Sequence, residues 1–320
     1  MEQINAVNFA PFPRKGVLAG ANAKISLNKL AARTGASHII LTPAGLQDDP
    51  QSTEIDFTGP GSPDDKELTE IVKYIQTLKT PAGKPLQVIM KPTVNCKNGS
   101  WRAFINFLDV GTAEETAWGK WFSSHEKFQR HYAVLARETG CVMFIAGCEM
   151  CSSERREQEW RALIAKVKAD FPGPVSYNTD KYHEDQVSWW DAVDVISSSG
   201  YYPSGTWEPQ LDRIEKVVKR HNKPFFFAEI GTMSTAGSMH EPNSWRLQGP
   251  ADPEDQESWY TEMFEHTKKR PWVEGYGLWS WGADLYDPDQ ALNQRHYDLY
   301  AKPAEKVVFR NFTAEARGIS

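Results

Sequence analysis

Glu149 closes the apolar run VMFIAGC (residues 142–148), and Glu229 closes PFFFA (residues 224–228). A carboxylate at such a place is either reactive or one half of a structural ion pair. Two of them facing each other across a cleft are what glycosidic bond hydrolysis requires. One gives a proton to the leaving oxygen, and the other attacks the anomeric carbon or activates a water. A gap of roughly 5–5.5 Å would give retention and one of roughly 6.5–9.5 Å inversion, and the sequence leaves both open. Glu149 also lies between Cys148 and Cys151, and C-x-x-C suggests a redox pair or half a zinc site. The remaining cysteines, Cys96 and Cys141, supply no second C-x-x-C to complete four ligands. Cys141 begins the strand that Cys148 ends, roughly 20 Å away at ~3.3 Å per residue. The glutamate is the group expected to carry the chemistry.

Other side chains sit at comparable places. Lys91 and Asn95 close a third strand and Asn178 a fifth, and all three suit sugar hydroxyls. Tyr201 and Tyr202 end a sixth strand, where one of them is expected to orient Glu229. Trp279 and Trp281 are two apart on an eighth, so they are expected to share a face and offer a stacking floor for a pyranose ring. Trp101 and Arg102 are weaker candidates, as are His240 and Trp245 on the loop after strand seven. The eight histidines show no H-E-x-x-H spacing, so no metal is expected. The stretch ERREQEW (residues 154–160) reads as a solvated helix start.

Positioning these groups falls to a regular alternation. Short apolar runs at residues 5–12, 38–43, 86–92, 142–149, 174–178, 195–203, 224–229 and 275–281 are separated by amphipathic stretches. One helix is expected to begin with Ser62 as its N-cap and Pro63 in its first turn, with Leu68, Ile71, Val72, Ile75 and Leu78 on one face. Another, around residues 126–139, is expected to close at Gly140. Eight such units predict a (β/α)₈ barrel in one domain spanning residues 1–320, with the chemistry at the carboxyl ends of the strands. A doubly wound open sheet is the alternative, but no G-x-G-x-x-G follows the first strand. Three long loops, residues 95–115, 231–252 and 282–297, are expected to wall a cleft.

Composition narrows the partners. A formal charge of −6 with dispersed basic residues argues against nucleic acid or an anionic membrane. No apolar run approaches the ~18 residues of a membrane span. Four cysteines fit a reducing compartment, and the opening residues carry no basic-then-apolar leader, so a cytoplasmic setting is expected unless a leader has been removed. Oligomeric state is left open.

The segments MKPTVNCKNGSWRAFI (residues 90–105), IAGCEM (145–150), WWDAVDVISSSGYYP (189–203), PFFFAEIG (224–231) and GLWSW (277–281), in that order, resemble glycoside hydrolase family 113, the β-mannanase family of clan A. The resemblance implies retaining cleavage of β-1,4-mannosidic bonds in mannan, glucomannan or manno-oligosaccharides, without a cofactor. It implies Glu149 as the acid/base and Glu229 as the nucleophile. Clan A enzymes commonly have Asn before the acid/base, bound to the sugar 2-hydroxyl; this chain has Cys148, a poor hydrogen-bond partner. A β-glucanase, xylanase or exo-acting mannosidase on the same barrel, and a sugar-binding barrel without turnover, are the alternatives.

Overall fold

The strands, in chain order, are β1 (Ile4–Phe9), β2 (His38–Leu41), β3 (Ala44–Gln47), β4 (Gln87–Met90), β5 (Thr93–Cys96), β6 (Met143–Cys148), β7 (Val175–Thr179), β8 (Val195–Ser199), β9 (Phe225–Ile230) and β10 (Val273–Trp281). The helices are α1 (Ala21–Thr34), α2 (Asp65–Thr77), α3 (Ala117–Thr139), α4 (Glu157–Asp170), α5 (Trp207–His221), α6 (Pro253–Thr267) and α7 (Pro303–Ala314). This computed structural model describes residues 2–108 and 116–314. Eight parallel strands, ordered β1-β10-β9-β8-β7-β6-β4-β2, close into the expected (β/α)₈ barrel. Closure leaves no open-sheet edge of the kind a doubly wound fold keeps.

Strand alternation builds two apolar layers. Ile4, Ala6, Ile40, Ile89, Met143, Ile145, Val195, Phe226 and Ala228 fill the inside of the barrel. Their neighbours, among them Val7, Ile39, Val88, Phe144, Ile196 and Phe227, face the helices. Inside, the buried Asn8 Nδ2 donates to the Ala228 and Gly277 carbonyls at 3.1 and 3.0 Å, which ties β1 to β9 and β10.

Three features depart from the expected plan. The β7–β8 connection carries only the short 3₁₀ turn Trp190–Ala192 in place of an α-helix. Helix α2 is capped by Asp64, whose side chain accepts from the Glu67 amide, while the Ser62 hydroxyl donates instead to the Ala44 carbonyl. A carboxylate both caps and complements the helix dipole, which favours Asp64 over the serine two residues earlier. Beyond the barrel, β3 and β5 pair in parallel as a two-stranded rim. Each follows its barrel strand after a two-residue break, so one side of the mouth is raised.

Gly140 closes α3 in the left-handed conformation, as expected. The predicted loop 95–115 is described as far as residue 108; residues 109–115 lie outside the described part. Among the described residues no helix is long and apolar enough to cross a membrane.

Candidate active site

Simple alternation would not bring Glu229 to the mouth of the barrel. Phe226 and Ala228 point inward, so the residue between Ala228 and Ile230 should point out. The β8–β9 register shifts between Ser198 and Ser199, and this bulge turns Glu229 inward. A second irregularity lies on β6, between Ile145 and Cys148. There Gly147 has φ +122°, and a Cβ at that residue would meet Trp160 and Tyr177 at 3.0 and 3.1 Å. Glu149 follows with φ +52°, a conformation that costs a residue with a Cβ about 1–3 kcal/mol and is kept where surroundings enforce it.

The enforcement is visible in the contacts. Glu149 Oε1 accepts from Ser199 Oγ at 2.7 Å. Its Oε2 accepts from Arg102 Nη1 at 2.8 Å and Trp101 Nε1 at 3.0 Å. Arg102 is pinned in turn by the Val94 carbonyl and Asn95 Oδ1, both on the β3–β5 rim. Glu229 Oε1 accepts from Lys91 Nζ at 2.6 Å and from Cys148 Sγ at 3.2 Å, and Oε2 from Tyr201 OH at 3.1 Å. One oxygen of each glutamate and Cys148 Sγ lie within 4.8 Å of one another, close to the short separation of retaining pairs.

The surroundings of Glu229 set its charge state. Burial pushes Glu229 up, but the Lys91 and Arg102 charges and the Lys91 and Cys148 bonds together outweigh it and hold the carboxyl below its ordinary value. Glu229 therefore stays ionised although it is almost fully buried. Burial, reinforced by Glu229, raises the Cys148 thiol well above its usual range, so it remains a donor and not a thiolate.

These groups open into a cleft of about 600 Å³, whose lining includes Asn95, Trp101, Arg102, Asp180, Trp245 and Trp279. Trp279 and Trp245 meet edge to face at 6.1 Å, and Lys91 Nζ lies 5.4 Å from the Trp279 ring. Asn178 is fully buried beneath the cleft, where its Nδ2 donates to Ser199 Oγ at 3.0 Å. It thus supports the residue that holds Glu149. Lys91 is likewise committed to Glu229 and not presented to sugar hydroxyls.

One orientation left open by the sequence is resolved, with Tyr202 no longer a candidate for the cleft, and one expectation needs correction. Tyr202 faces away from the cleft, and its hydroxyl donates to the buried Glu184 at 2.5 Å. Tyr201, on the inward parity of Val195, Ser197 and Ser199, is the tyrosine of the site. Trp281 does not share a face with Trp279. Between the pairs Val7–Leu278 and Phe9–Trp281, β10 carries one extra residue, which sends the Trp281 indole outward to Ser26 Oγ at 2.9 Å. His240 is exposed and does not line the cleft, whereas the loop residues Asn243, Trp245 and Arg246 do.

Sequence reasoning missed Ser199 and Asp180. Both lie on the inward parity of their strands, Ser199 two residues after Ser197 and Asp180 two after Asn178, which was the available signal. Burial and the neighbouring Glu149 charge push the Asp180 carboxyl up to about 8, so at neutral pH it offers the cleft mainly a hydroxyl. Glu154, expected at a solvated helix start, is buried and accepts from Tyr177 and Thr179. Helix α4 begins only at Glu157.

The Lys91–Glu229 pair yields a test by pH. In Lys91→Met, burial is opposed by fewer positive charges, so the Glu229 pKa moves up. The ionised form is then lost sooner as pH falls, and the acid limb of the kcat/KM profile shifts to higher pH. An unmoved acid limb would exclude Glu229 as the group titrating there.

The sequence profile of glycoside hydrolase family 113 matches residues 7–302. Two solved structures described as family 113 β-1,4-mannanases, one of them a complex, superpose with TM-scores of 0.94 at 47% and 48% identity; each alignment covers 98% of this chain and 100% of the other. A family 113 β-mannanase from Alicyclobacillus acidocaldarius, in complex with ManMIm, gives 0.93 at 36% identity, covering 98% of both chains. A β-glucuronidase from Ruminococcus gnavus, at 13% identity and 0.62 over 97% of this chain and 50% of its own, shares the fold alone. A search of curated protein sequences found no match.

Proposed function

Because the chain belongs to glycoside hydrolase family 113, we propose that it cleaves β-1,4-mannosidic bonds in mannan, glucomannan or manno-oligosaccharides with retention of configuration. Glu229 is the nucleophile and Glu149 the acid/base, and residues 1–320 act as one catalytic domain. The observation that carries this reading is the closely spaced carboxylate pair in unlike surroundings. Glu229 is held ionised by Lys91 and Arg102, while Glu149 sits at the cleft wall between Ser199, Trp101 and Arg102.

In the first step Glu229 attacks the anomeric carbon while Glu149 passes its proton to the glycosidic oxygen, and the shortened chain leaves as an alcohol. Oε1 of Glu229 already takes two donors and Oε2 one, so Oε2 is the freer oxygen to form the ester. Esterification removes the negative charge beside Glu149. Glu149, now a carboxylate, takes a proton from water, which attacks the same carbon and releases Glu229.

Trp279 supplies the stacking floor. Cys148 points its thiol at Glu229 and not at the cleft, so the sugar 2-hydroxyl contact made by the usual Asn is replaced here by support of the nucleophile. Four free cysteines support a reducing, cytoplasmic setting.

A panel of mannan, glucomannan, xylan and β-glucan oligosaccharides, with the first product followed by NMR, tests the reading. Mannohexaose is expected to be cleaved, with the new hydroxyl initially equatorial. An initially axial hydroxyl rules out double displacement. Turnover of xylan or β-glucan without turnover of mannan replaces the substrate by that of the alternative clan A specificities.

A further inference from the structure

Directly behind the acid/base, three side chains that hydrolysis does not use converge. Cys151, Glu154 and His183 each offer one ligand atom, and the three atoms lie within 4.8 Å of one another. Cys151 opens the 3₁₀ turn Cys151–Ser153 that follows β6, and Glu154 ends it. His183 comes from the loop after β7. Glu154 Oε1 accepts from Tyr177 OH at 2.8 Å and Thr179 Oγ1 at 2.6 Å, and Oε2 faces His183 Nδ1 at 3.3 Å. One carboxylate oxygen is thus fixed by hydroxyls while the other faces an imidazole, the arrangement that orients a monodentate metal ligand. Cys151 alone of the four cysteines is not fully buried, and the His183 side chain is 31% exposed, which gives the cluster a path from solvent.

We propose that Cys151, Glu154 and His183 form a seat for a borderline-soft divalent cation of the zinc class. Sulfur, imidazole nitrogen and carboxylate oxygen are the donors that such an ion prefers, with water in the fourth position. On binding, the Cys151 thiol releases its proton to solvent. The imidazole offers Nδ1 as a lone pair and keeps its single proton on Nε2. The thiol then no longer donates to the Glu149 carbonyl, which it reaches at 3.7 Å in the metal-free arrangement. Because Cys151 is two residues from Glu149, occupation fixes the turn that carries the acid/base, and zinc slows hydrolysis. Among the described residues the other close trio, Cys148, Glu149 and Glu229, is a poorer seat, since Lys91 and Arg102 already place their charges on its oxygens.

The test titrates cobalt(II), a spectroscopic stand-in for zinc, into the full chain and follows the thiolate-to-metal absorption band. One cobalt per chain with that band is expected in the wild type, and none of the band in Cys151→Ser. His183→Gln, at a partly exposed position, weakens binding by at least about ten-fold. Zinc is expected to inhibit hydrolysis of mannohexaose, or of whichever oligosaccharide the panel shows to be cleaved, and EDTA to restore it. Both variants should keep the metal-free rate and need at least about ten-fold more zinc for the same inhibition. Absence of a thiolate band, or a band that survives in Cys151→Ser, overturns the seat, whatever the sugar specificity. Cobalt binding without zinc inhibition overturns the link to Glu149. Equal inhibition of the wild type and both variants places the ion on the catalytic carboxylates instead.

Discussion

Glu229→Gln reduces kcat on manno-oligosaccharides by on the order of 10⁴-fold or more, because an amide of the same shape cannot form the glycosyl ester. The same substitution strips Lys91 of its counter-charge. Lys91 is fully buried, with Nζ 2.6 Å from the carboxylate, so a buried ammonium is left with only a neutral acceptor. Removing one partner of such a pair costs about 3–5 kcal/mol, and a lower Tm accompanies the loss of rate. Lys91→Met with Glu229→Gln removes both charges and recovers part of that Tm without recovering activity. This separation matters, because it distinguishes a dead enzyme from an unfolded one. Residual kcat within ten-fold of wild type in a folded Glu229→Gln protein would exclude Glu229 as nucleophile.

Glu149→Ala lowers kcat on mannohexaose by about 10²–10⁴-fold, the usual range for a lost general acid. On an aryl β-mannoside whose phenolate leaves without protonation, the first step survives and the second becomes limiting. A burst of phenolate equal to the enzyme concentration follows. Added azide, which attacks without needing a base, restores turnover and gives the β-mannosyl azide. An α-azide would mean direct displacement at a vacated face, and Glu149 would not then be the acid/base of a two-step reaction. The alanine also frees Arg102 and Trp101 from Oε2, so the pH profile rather than the Tm is the informative measurement.

The barrel was legible because its strands are buried on both faces, so eight continuous apolar runs mark them. The two glutamates were legible as carboxylates ending such runs. Their orientation was not, because it depends on bulges in β6 and β9 that no residue type announces except Gly147. The same limit explains Trp281, which a single extra residue in β10 turns away from the face it should share with Trp279. Tyr201 and Ser199, by contrast, follow the parity of Val195 and were recoverable by counting along β8. Arg102 ranked low because it lies on a loop. Its importance comes from the β3–β5 rim, whose pairing joins segments about fifty residues apart. Glu154 was misread for a related reason: its partners Tyr177, Thr179 and His183 belong to the next strand and loop, and local charge pattern cannot reveal them.

The rim also bears on how this barrel can diversify. The charge partner of the acid/base is fastened to the Val94 carbonyl and to Asn95, and therefore to sheet hydrogen bonds, not to the loop that follows. Beyond Arg102, Ala103 and Ile105 are buried and the Phe107 carbonyl is bonded to Trp118, so the exposed Phe104 and Leu108 are the positions that can be exchanged while that anchorage persists. The surroundings of the acid/base are consequently insulated from change in the exposed part of this loop, with the boundary falling just after Arg102 and not at the end of β5.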